Sequence, residues 1–180
     1  MAGPGREERA RIRGAQSGSV SDLEALFREH WPRAYRAAYL VVHDAAAAED
    51  IAQEAFLAAV RALDRFDRRR PFGPWLHRIV VNRAIDWARG RALRAEVVGD
   101  VPESANAFES ELPENPLSAR LAEGLAELSP EHRAVIVLRY LLDYTPGEIA
   151  GVLDLPRGTV NSRLRRGLDE LSRRIEREAL

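Results

Sequence analysis

Two polar stretches of the sequence carry side chains suited to contacts with a polyanion. Arg78, Asn82, Asp86 and Arg89 are spaced by four, four and three residues, so on a helix they form one stripe. The second stretch supplies Arg157, Thr159, Asn161, Ser162, Arg165 and Arg166. Guanidinium, amide and hydroxyl groups donate to phosphates and to base edges in the major groove. Both stretches therefore indicate contacts with nucleic acid.

Charge is segregated along the chain, although the net charge is only −1. Residues 61–94 contain ten Arg and three acidic residues, and residues 157–177 contain seven Arg and three acidic residues. Between these blocks, residues 96–119 contain six acidic residues and no basic one. Two basic blocks joined by an acidic tether indicate two separate contacts with a polyanion.

Several classes of protein are excluded by composition. The chain has no cysteine, which excludes disulfides and thiolate metal sites, and its four histidines are scattered without an H-E-x-x-H motif. No nucleophile, metal or phosphate-loop constellation is present, so we expect neither an enzyme nor a cofactor. There is no run of eighteen apolar residues and no apolar signal-peptide stretch, which predicts a cytoplasmic protein without membrane contact of its own.

The sequence predicts an all-α fold of two small helical domains joined by an acidic linker. Residues 1–19 are expected to be a disordered leader, because they contain few large apolar groups. In the first domain, residues 20–95, Ser21 begins an S-x-x-E capping box, and Pro32 is a point where that helix can kink or restart. Asp44 is placed to cap a second helix that runs to about residue 63.

A basic loop and a third helix complete the expected first domain. Residues 64–73 fit no helical period, and Pro74 suits the first turn of a helix that runs to about residue 94. The aromatic residues in and beside this loop, Phe66, Phe72 and Trp75, have two interpretations: a platform for unstacked single-stranded bases, or part of the core.

Residues 96–118 contain three prolines and a run of acids, which indicates an extended linker. The second domain, residues 119–180, is expected to contain a helix begun by Ser129 and Pro130, and another begun by a capping box at Thr145.

The end of the second domain has the pattern of a helix-turn-helix. Ile149 and Ala150 pack the first helix, residues 154–156 turn the chain, and Val160 with Leu164 continue the core. The alternative is an amphipathic helix with a solvated Arg face. We prefer the helix-turn-helix because the turn, the small residue Ala150 and the polar start of the second helix occur together.

Three strings of the sequence resemble regions two and four of the extracytoplasmic-function sigma factors of bacterial RNA polymerase. They are DIAQEAF at 50–56, FGPWLHRIVVNRAIDWAR at 72–89 and EIAGVLDLPRGTVNSRLRRGLDEL at 148–171. The resemblance covers about residues 20–95 and 119–177, in the order and at the separation typical of that family.

The resemblance implies roles for particular positions. Asp50, Gln53 and Glu54 match the helix that docks on core RNA polymerase. Asn82 matches the base-reading position for the downstream (minus ten) promoter element, and residues 66–73 match the loop that holds a flipped base. The downstream set is therefore Phe66, Arg78, Asn82, Asp86 and Arg89.

The same resemblance assigns the upstream (minus thirty-five) promoter element to the last helix. The upstream set is Arg157, Thr159, Asn161, Ser162, Arg165 and Arg166. It also implies an acidic linker that threads the polymerase channel, and an anti-sigma protein as an inhibitory partner.

Two other interpretations stay open. A sigma mimic could sequester an anti-sigma partner without reading DNA, but such a protein could lose Asn82 and the Arg face freely. An ordinary helix-turn-helix repressor would bind duplex as a dimer, yet nothing after Ile175 offers a dimerisation helix, so we expect a monomer.

Overall fold

The computed structural model describes residues 5–98 and 116–177, and all regular secondary structure in these ranges is helical. We define the first module as α1–α4 and the second module as α5–α8. The helices are α1 (Arg6–Gln16), α2 (Val20–Val42), α3 (Ala45–Ala62), α4 (Phe72–Val98), α5 (Pro116–Ala126), α6 (Pro130–Tyr140), α7 (Pro146–Leu153) and α8 (Arg157–Arg177). Most of the predicted linker, 96–118, lies outside the described residues.

The start of the chain differs from the prediction. A disordered leader was expected over residues 1–19, but residues 6–16 form α1, and Ile12 on its inner face is fully buried. The next helix begins at Val20 with Ser19 as its N-cap, whose hydroxyl accepts from the backbone of Asp22. The predicted capping box at Ser21 is therefore wrong by two residues.

Small side chains let α2 and α3 pack closely. Ala34, Ala37 and Ala38 on α2 are fully buried. On α3, one face likewise buries Ala48, Ala52 and Ala55. Pro32 lies inside α2, which continues through it as one helix rather than restarting. The N-cap predicted for α3 is confirmed, because the Asp44 carboxylate accepts from the backbone of Ala47 at 2.9 Å.

The second module follows its predicted caps closely. Ser129 caps α6 through the backbone of His132, and Pro130 occupies the first turn. At α7, the Thr145 hydroxyl accepts from the backbone of Glu148, whose carboxylate accepts from the backbone of Thr145 in return. This reciprocal pair is the predicted capping box, and it satisfies two N–H groups that no helical carbonyl can reach.

The two modules pack against each other through polar contacts in a buried setting. Helices α5 and α6 contact α2, while α6 and α7 contact α4. Arg133 of α6 is buried and donates to Leu128 O at 3.0 Å and to Val41 O at 2.6 Å. Val41 lies in the last turn of α2, where carbonyls lack partners within the helix. Burial lowers the pKa of Arg133 to about 10, so its guanidinium is charged at neutral pH.

A second buried contact joins α4 to the segment before α7. The Nδ1 atom of His77 lies 2.8 Å from the Tyr144 hydroxyl, and both side chains are almost fully buried. Burial raises the pKa of Tyr144 and lowers the pKa of His77 to about 4, so both groups are neutral at neutral pH. None of His77, Tyr144 and Arg133 was predicted as an intermodule contact, because nothing in the local sequence reveals their partners.

Candidate nucleic-acid interface

Helices α7 and α8 form the predicted helix-turn-helix. Asp154 ends α7 in a left-handed conformation with φ of 53°, and the backbone N–H of Leu155 then donates to Ala150 O at 3.0 Å. Asp is one of the few residues other than Gly that adopts this conformation readily. The turn closes in three residues, and Pro156 leads directly into α8. Helix α7 therefore ends at Asp154, and α8 packs against it.

The inner and outer faces of α8 separate as the pattern predicted. Val160, Leu164 and Leu171 are buried against the rest of the second module. The predicted upstream set lies on the other face: Arg157, Asn161, Arg165 and Arg166 are exposed, and Thr159 and Ser162 are half-buried. The Ser162 hydroxyl donates to Thr159 O at 3.2 Å within the helix. The exposed face thus combines cationic and amide donors near a helix N-terminus, where the macrodipole also favours phosphate.

The polar stripe on α4 lies beside the second module. Arg78, Asp86 and Arg89 are exposed, and Asn82 is half-buried. The Asn82 amide donates to Val152 O of α7 at 3.5 Å, and Arg89 Nε donates to the Glu131 carboxylate at 2.6 Å. Two members of the predicted downstream set are therefore occupied by contacts with the second module.

The electrostatics of this contact favour an ionised Glu131. Burial alone would raise the pKa of Glu131, but the hydrogen bond from Arg89 and the nearby Arg163 outweigh that effect and lower it. Arg89 also lies 3.9 Å from Asp86 on its own helix. The guanidinium of Arg89 is thus shared between α4 and α6.

The basic loop, residues 66–71, presents its cations to solvent. Arg68, Arg69 and Arg70 are exposed, and Arg69 forms hydrogen bonds with the Asp67 carboxylate at 3.0 to 3.2 Å. Those hydrogen bonds lower the pKa of Asp67. Neither Arg68 nor Arg70 forms an ion pair with another described residue. The loop therefore offers cationic charge to a nucleic acid backbone.

Phe66 does not have the exposure that a base-stacking platform needs. Its ring is 8% exposed and lies 4.5 Å from the ring of Trp75 and 5.9 Å from that of Phe72, measured between centroids. In this arrangement the aromatic residues around the loop pack on one another as its floor, and the expected contact of Phe66 with a base stays a prediction. Burying the Phe66 ring against two other rings has a lower free energy than exposing it to water.

Glu8 and Gln16, which lie in the predicted leader, form hydrogen bonds with this loop and its ends. The Gln16 side chain donates to the carbonyls of Leu63 and Phe66, and the Glu8 carboxylate accepts from the backbone N–H of Phe72. The one signal for them was Ile12, an apolar residue among charged ones, which marks a short amphipathic helix.

The predicted polymerase-docking residues lie on the outer face of α3. Asp50, Gln53 and Glu54 are all exposed. Gln53 borders an apolar groove between α2 and α3 of about 380 Å³, in which Leu57 is 54% exposed. Glu54 accepts from Arg83 of α4 at 2.6 Å. Polar and apolar groups thus alternate on an exposed helical surface, as at the rim and core of a protein interface.

No helix in the described ranges of the chain is both long and apolar enough to span a membrane. No cluster of three or more histidines and carboxylates in those ranges is arranged to hold a metal ion.

Both modules match known protein families. Residues 26–94 match the family described as Sigma-70 region 2, and residues 118–171 match the family described as Sigma-70, region 4. The ECF RNA polymerase sigma factor SigW of Bacillus subtilis is 32% identical over 176 residues, which are 91% of this chain and 92% of that protein.

Two solved structures share the fold of most of the chain. CnrH, a sigma factor of Cupriavidus metallidurans, solved in complex with the cytosolic domain of CnrY, is 30% identical with a TM-score of 0.70, covering 94% of this chain and 97% of that one. The sigma factor RpoE of Bartonella quintana, solved with the anti-sigma factor NepR, has the same fold with a TM-score of 0.74 at 22% identity, covering 87% and 98%.

Proposed function

The chain belongs to the extracytoplasmic-function sigma factors, and we propose how its two modules divide the work of promoter recognition. Members of this family are transcription initiation factors and not enzymes. The chain is a sigma factor that binds core RNA polymerase and directs initiation at promoters. Within the first module, residues 20–95 bind the polymerase and the downstream promoter element. Within the second module, the domain predicted over residues 119–180 binds the upstream element.

The exposed polar face of α8 is the observation that carries the upstream assignment. Arg157, Asn161 and Arg165 project from the outer side of the second helix of a helix-turn-helix, while Val160 and Leu164 bury the inner side. A helix presented in this way lies in the major groove with its first turns against base edges. Arginine and asparagine there supply the bidentate donors that distinguish guanine and adenine.

For the downstream element, we propose that Asn82 reads an unpaired base and that the basic loop holds a flipped base. Arg78 and Arg89 flank Asn82 on the same stripe of α4, so cationic groups surround the amide. Asn82 donates to Val152 O when the two modules contact each other, an arrangement that we call closed. Base reading therefore requires the second module to leave this face of α4. Binding to polymerase separates the modules and releases Asn82 and Arg89 for DNA.

Core polymerase is proposed to dock on α3. Asp50, Gln53 and Glu54 supply polar contacts on the exposed face, and the groove that contains Leu57 supplies the apolar area a stable interface needs. Of the four residues in the polar stripe of α4, Asp86 lines the cleft that contains Asp50 and Glu54, and the other three do not. Docking on α3 therefore leaves the greater part of the α4 stripe open to DNA.

We propose that an anti-sigma protein holds the closed arrangement in which the modules contact each other. The support is the likeness to CnrH, which was solved with a bound protein domain and shares 94% of the chain's length. A partner that stabilises the contacts of Arg133 and His77 keeps Asn82 covered. The site of action is the cytoplasm, where RNA polymerase is found.

In vitro transcription with purified core enzyme tests the proposal. Core polymerase alone and core with this chain are given a pool of promoters randomised over both elements, and the transcripts are sequenced. We expect transcripts only with the chain present, enriched for one sequence at each element. Failure to bind core, together with transcription no different from that of core alone, contradicts the proposed function.

A further inference from the structure

The loop of residues 66–71 is attached at both ends to the N-terminal helix α1. At its start, the amide nitrogen of Gln16 donates to Leu63 O at 2.9 Å and to Phe66 O at 3.0 Å. At its end, the carboxylate of Glu8 accepts from the backbone N–H of Phe72 at 3.1 Å. Gln16 and Glu8 are two turns apart on α1, about 12 Å along the axis at 1.5 Å per residue. One rigid helix thus spans the loop from end to end.

Both attachments reach the main chain at places where its polar groups need a partner. Phe72 is the first residue of α4, and the first N–H groups of a helix have no carbonyl within it. The Glu8 carboxylate also carries the charge that a helix N-terminus favours. At the other end, Gln16 fixes the short helical turn formed by residues 63–65, which ends where the loop begins. The conformation of the loop ends therefore depends on two side chains of α1.

Helix α1 is itself held firmly against the rest of the first module. Ile12 is fully buried in the core, and Arg11 donates to the Glu29 carboxylate of α2 at 2.7 Å. At Gly14 a side chain would collide with the Asp22 carboxylate, so the two helices approach closely there. Because α1 is fixed by its own core contacts, its hydrogen bonds to the loop restrain the ends of the loop.

The loop side chains take no part in these attachments. Arg68, Arg69 and Arg70 remain exposed, and the aromatic floor of Phe66 and Trp75 lies beneath the loop. A loop that accepts an extruded base does so at lower cost when its main chain already has the bound conformation, because less ordering is left to be done on binding. Holding the main chain while leaving the side chains free is the arrangement that such a site requires.

We propose that α1 is a brace for base capture, and that Gln16 and Glu8 are positioning residues for the basic loop. This inference rests on the proposed function, since it assumes that the loop takes a base from the downstream element. It assigns to the start of the chain a part in promoter opening. Neither residue touches DNA: each acts through the main chain at one end of the loop.

The experiment compares wild type with four variants of the full chain, each bound to core polymerase. Gln16→Ala removes the attachment at the start of the loop, and Glu8→Ala removes the one at its end. Glu8→Gln keeps an oxygen that accepts from Phe72. Ser17→Ala is the matched control, because Ser17 directly follows α1 and its hydroxyl donates to Arg13 O of that helix rather than to the loop.

Three quantities are measured for each protein. They are the affinity for core polymerase, the rate of promoter opening from a fluorescent base analogue in the downstream element, and the base preference at both elements from a randomised pool. We expect Gln16→Ala and Glu8→Ala to slow opening about tenfold, the factor to which one or two hydrogen bonds correspond. Both should also flatten base preference at the downstream element alone. Glu8→Gln and Ser17→Ala should behave as wild type.

The possible outcomes separate the brace from the proposed function. If wild type initiates while both Ala variants keep its opening rate and downstream preference, the brace is refuted and the proposed function stands. Equal losses at the upstream element, or weaker binding to core, also refute the brace, because a destabilised fold changes all three quantities together. If wild type does not initiate, the proposed function fails. Should Gln16→Ala not fold, the comparison of Glu8→Ala with Glu8→Gln decides the matter.

Discussion

We predict that acid lowers the free energy of unfolding of this protein through His77. The imidazole is 5% exposed, its Nδ1 atom is bonded to the Tyr144 hydroxyl, and its Nε2 atom has no hydrogen-bond partner. A proton added there would be buried without a counter-charge. Burial is the main reason that the pKa of His77 falls from 6.5 to about 4, and the nearby His30 and Arg33 lower it further.

The direction of the pH effect follows from that lowered pKa. Between pH 6.5 and about 4 the unfolded chain binds a proton at residue 77 and the folded chain does not. The stabilisation from neutral His77 is therefore complete above pH 6.5 and is lost as the pH falls toward 4. Going from pH 7 to pH 5 should reduce the free energy of unfolding by about 2 kcal/mol through this group alone.

A double variant isolates the contribution of His77, because other histidines titrate in the same range. Burial lowers the pKa of His43 to about 4 and lowers that of His30 as well. His77→Phe with Tyr144→Phe removes both partners of the bond, so no buried hydroxyl is left unpaired. The single variant Tyr144→Phe keeps the titrating imidazole and serves as the control.

The assay is urea unfolding at pH 7 and pH 5 at one ionic strength, followed by helical circular dichroism. Wild type and Tyr144→Phe should each lose about 2 kcal/mol more than the double variant between the two pH values. If the double variant loses as much as wild type, His77 does not carry the pH dependence and the argument from its burial is refuted.

Three further predictions concern single side chains. Arg133→Met leaves the carbonyls of Val41 and Leu128 without their donor. Urea unfolding should show that the free energy of unfolding falls by about 2 to 5 kcal/mol, and a fall below about 1 kcal/mol would contradict this role. Thr145→Ala removes the α7 cap and should cost about 1 kcal/mol in the same assay, whereas Thr145→Ser should cost little. Arg165→Ala should weaken binding to promoter DNA by about 1 to 3 kcal/mol with altered base preference at the upstream element, measured by competition among promoter variants. A uniform loss over all sequences would instead mark Arg165 as a phosphate contact.

Local signals in the sequence were sufficient for most of the helices. Thr145 and Glu148 form the predicted capping box, and Asp44 caps α3 as predicted, because each cap joins residues only three positions apart. The cap of α2 was placed at Ser21 instead of Ser19, since two serines within three residues offer nearly the same local signal. The outer face of α8 was also predictable, because helical periodicity determines which residues lie opposite Val160 and Leu164.

Contacts between distant residues were beyond the reach of those signals. Helix α1 is too short to be stable by propensity alone and depends on burying Ile12 against α2, so its sequence was taken for a disordered leader. Phe66 has two interpretations in the sequence, and its packing on Phe72 and Trp75 depends on contacts that the local sequence does not reveal.

The sequence by itself determined the kind of protein this is: all-α, with two Arg-rich segments and the motifs of a sigma factor. Those properties depend on residue type and on periodicity, which are written along the chain. Only the tertiary structure decided which surfaces are covered, because Asn82 meets Val152 across 70 residues and Arg133 meets Val41 across 92. Such pairs form when whole helices pack, and neither partner carries a local mark of the other.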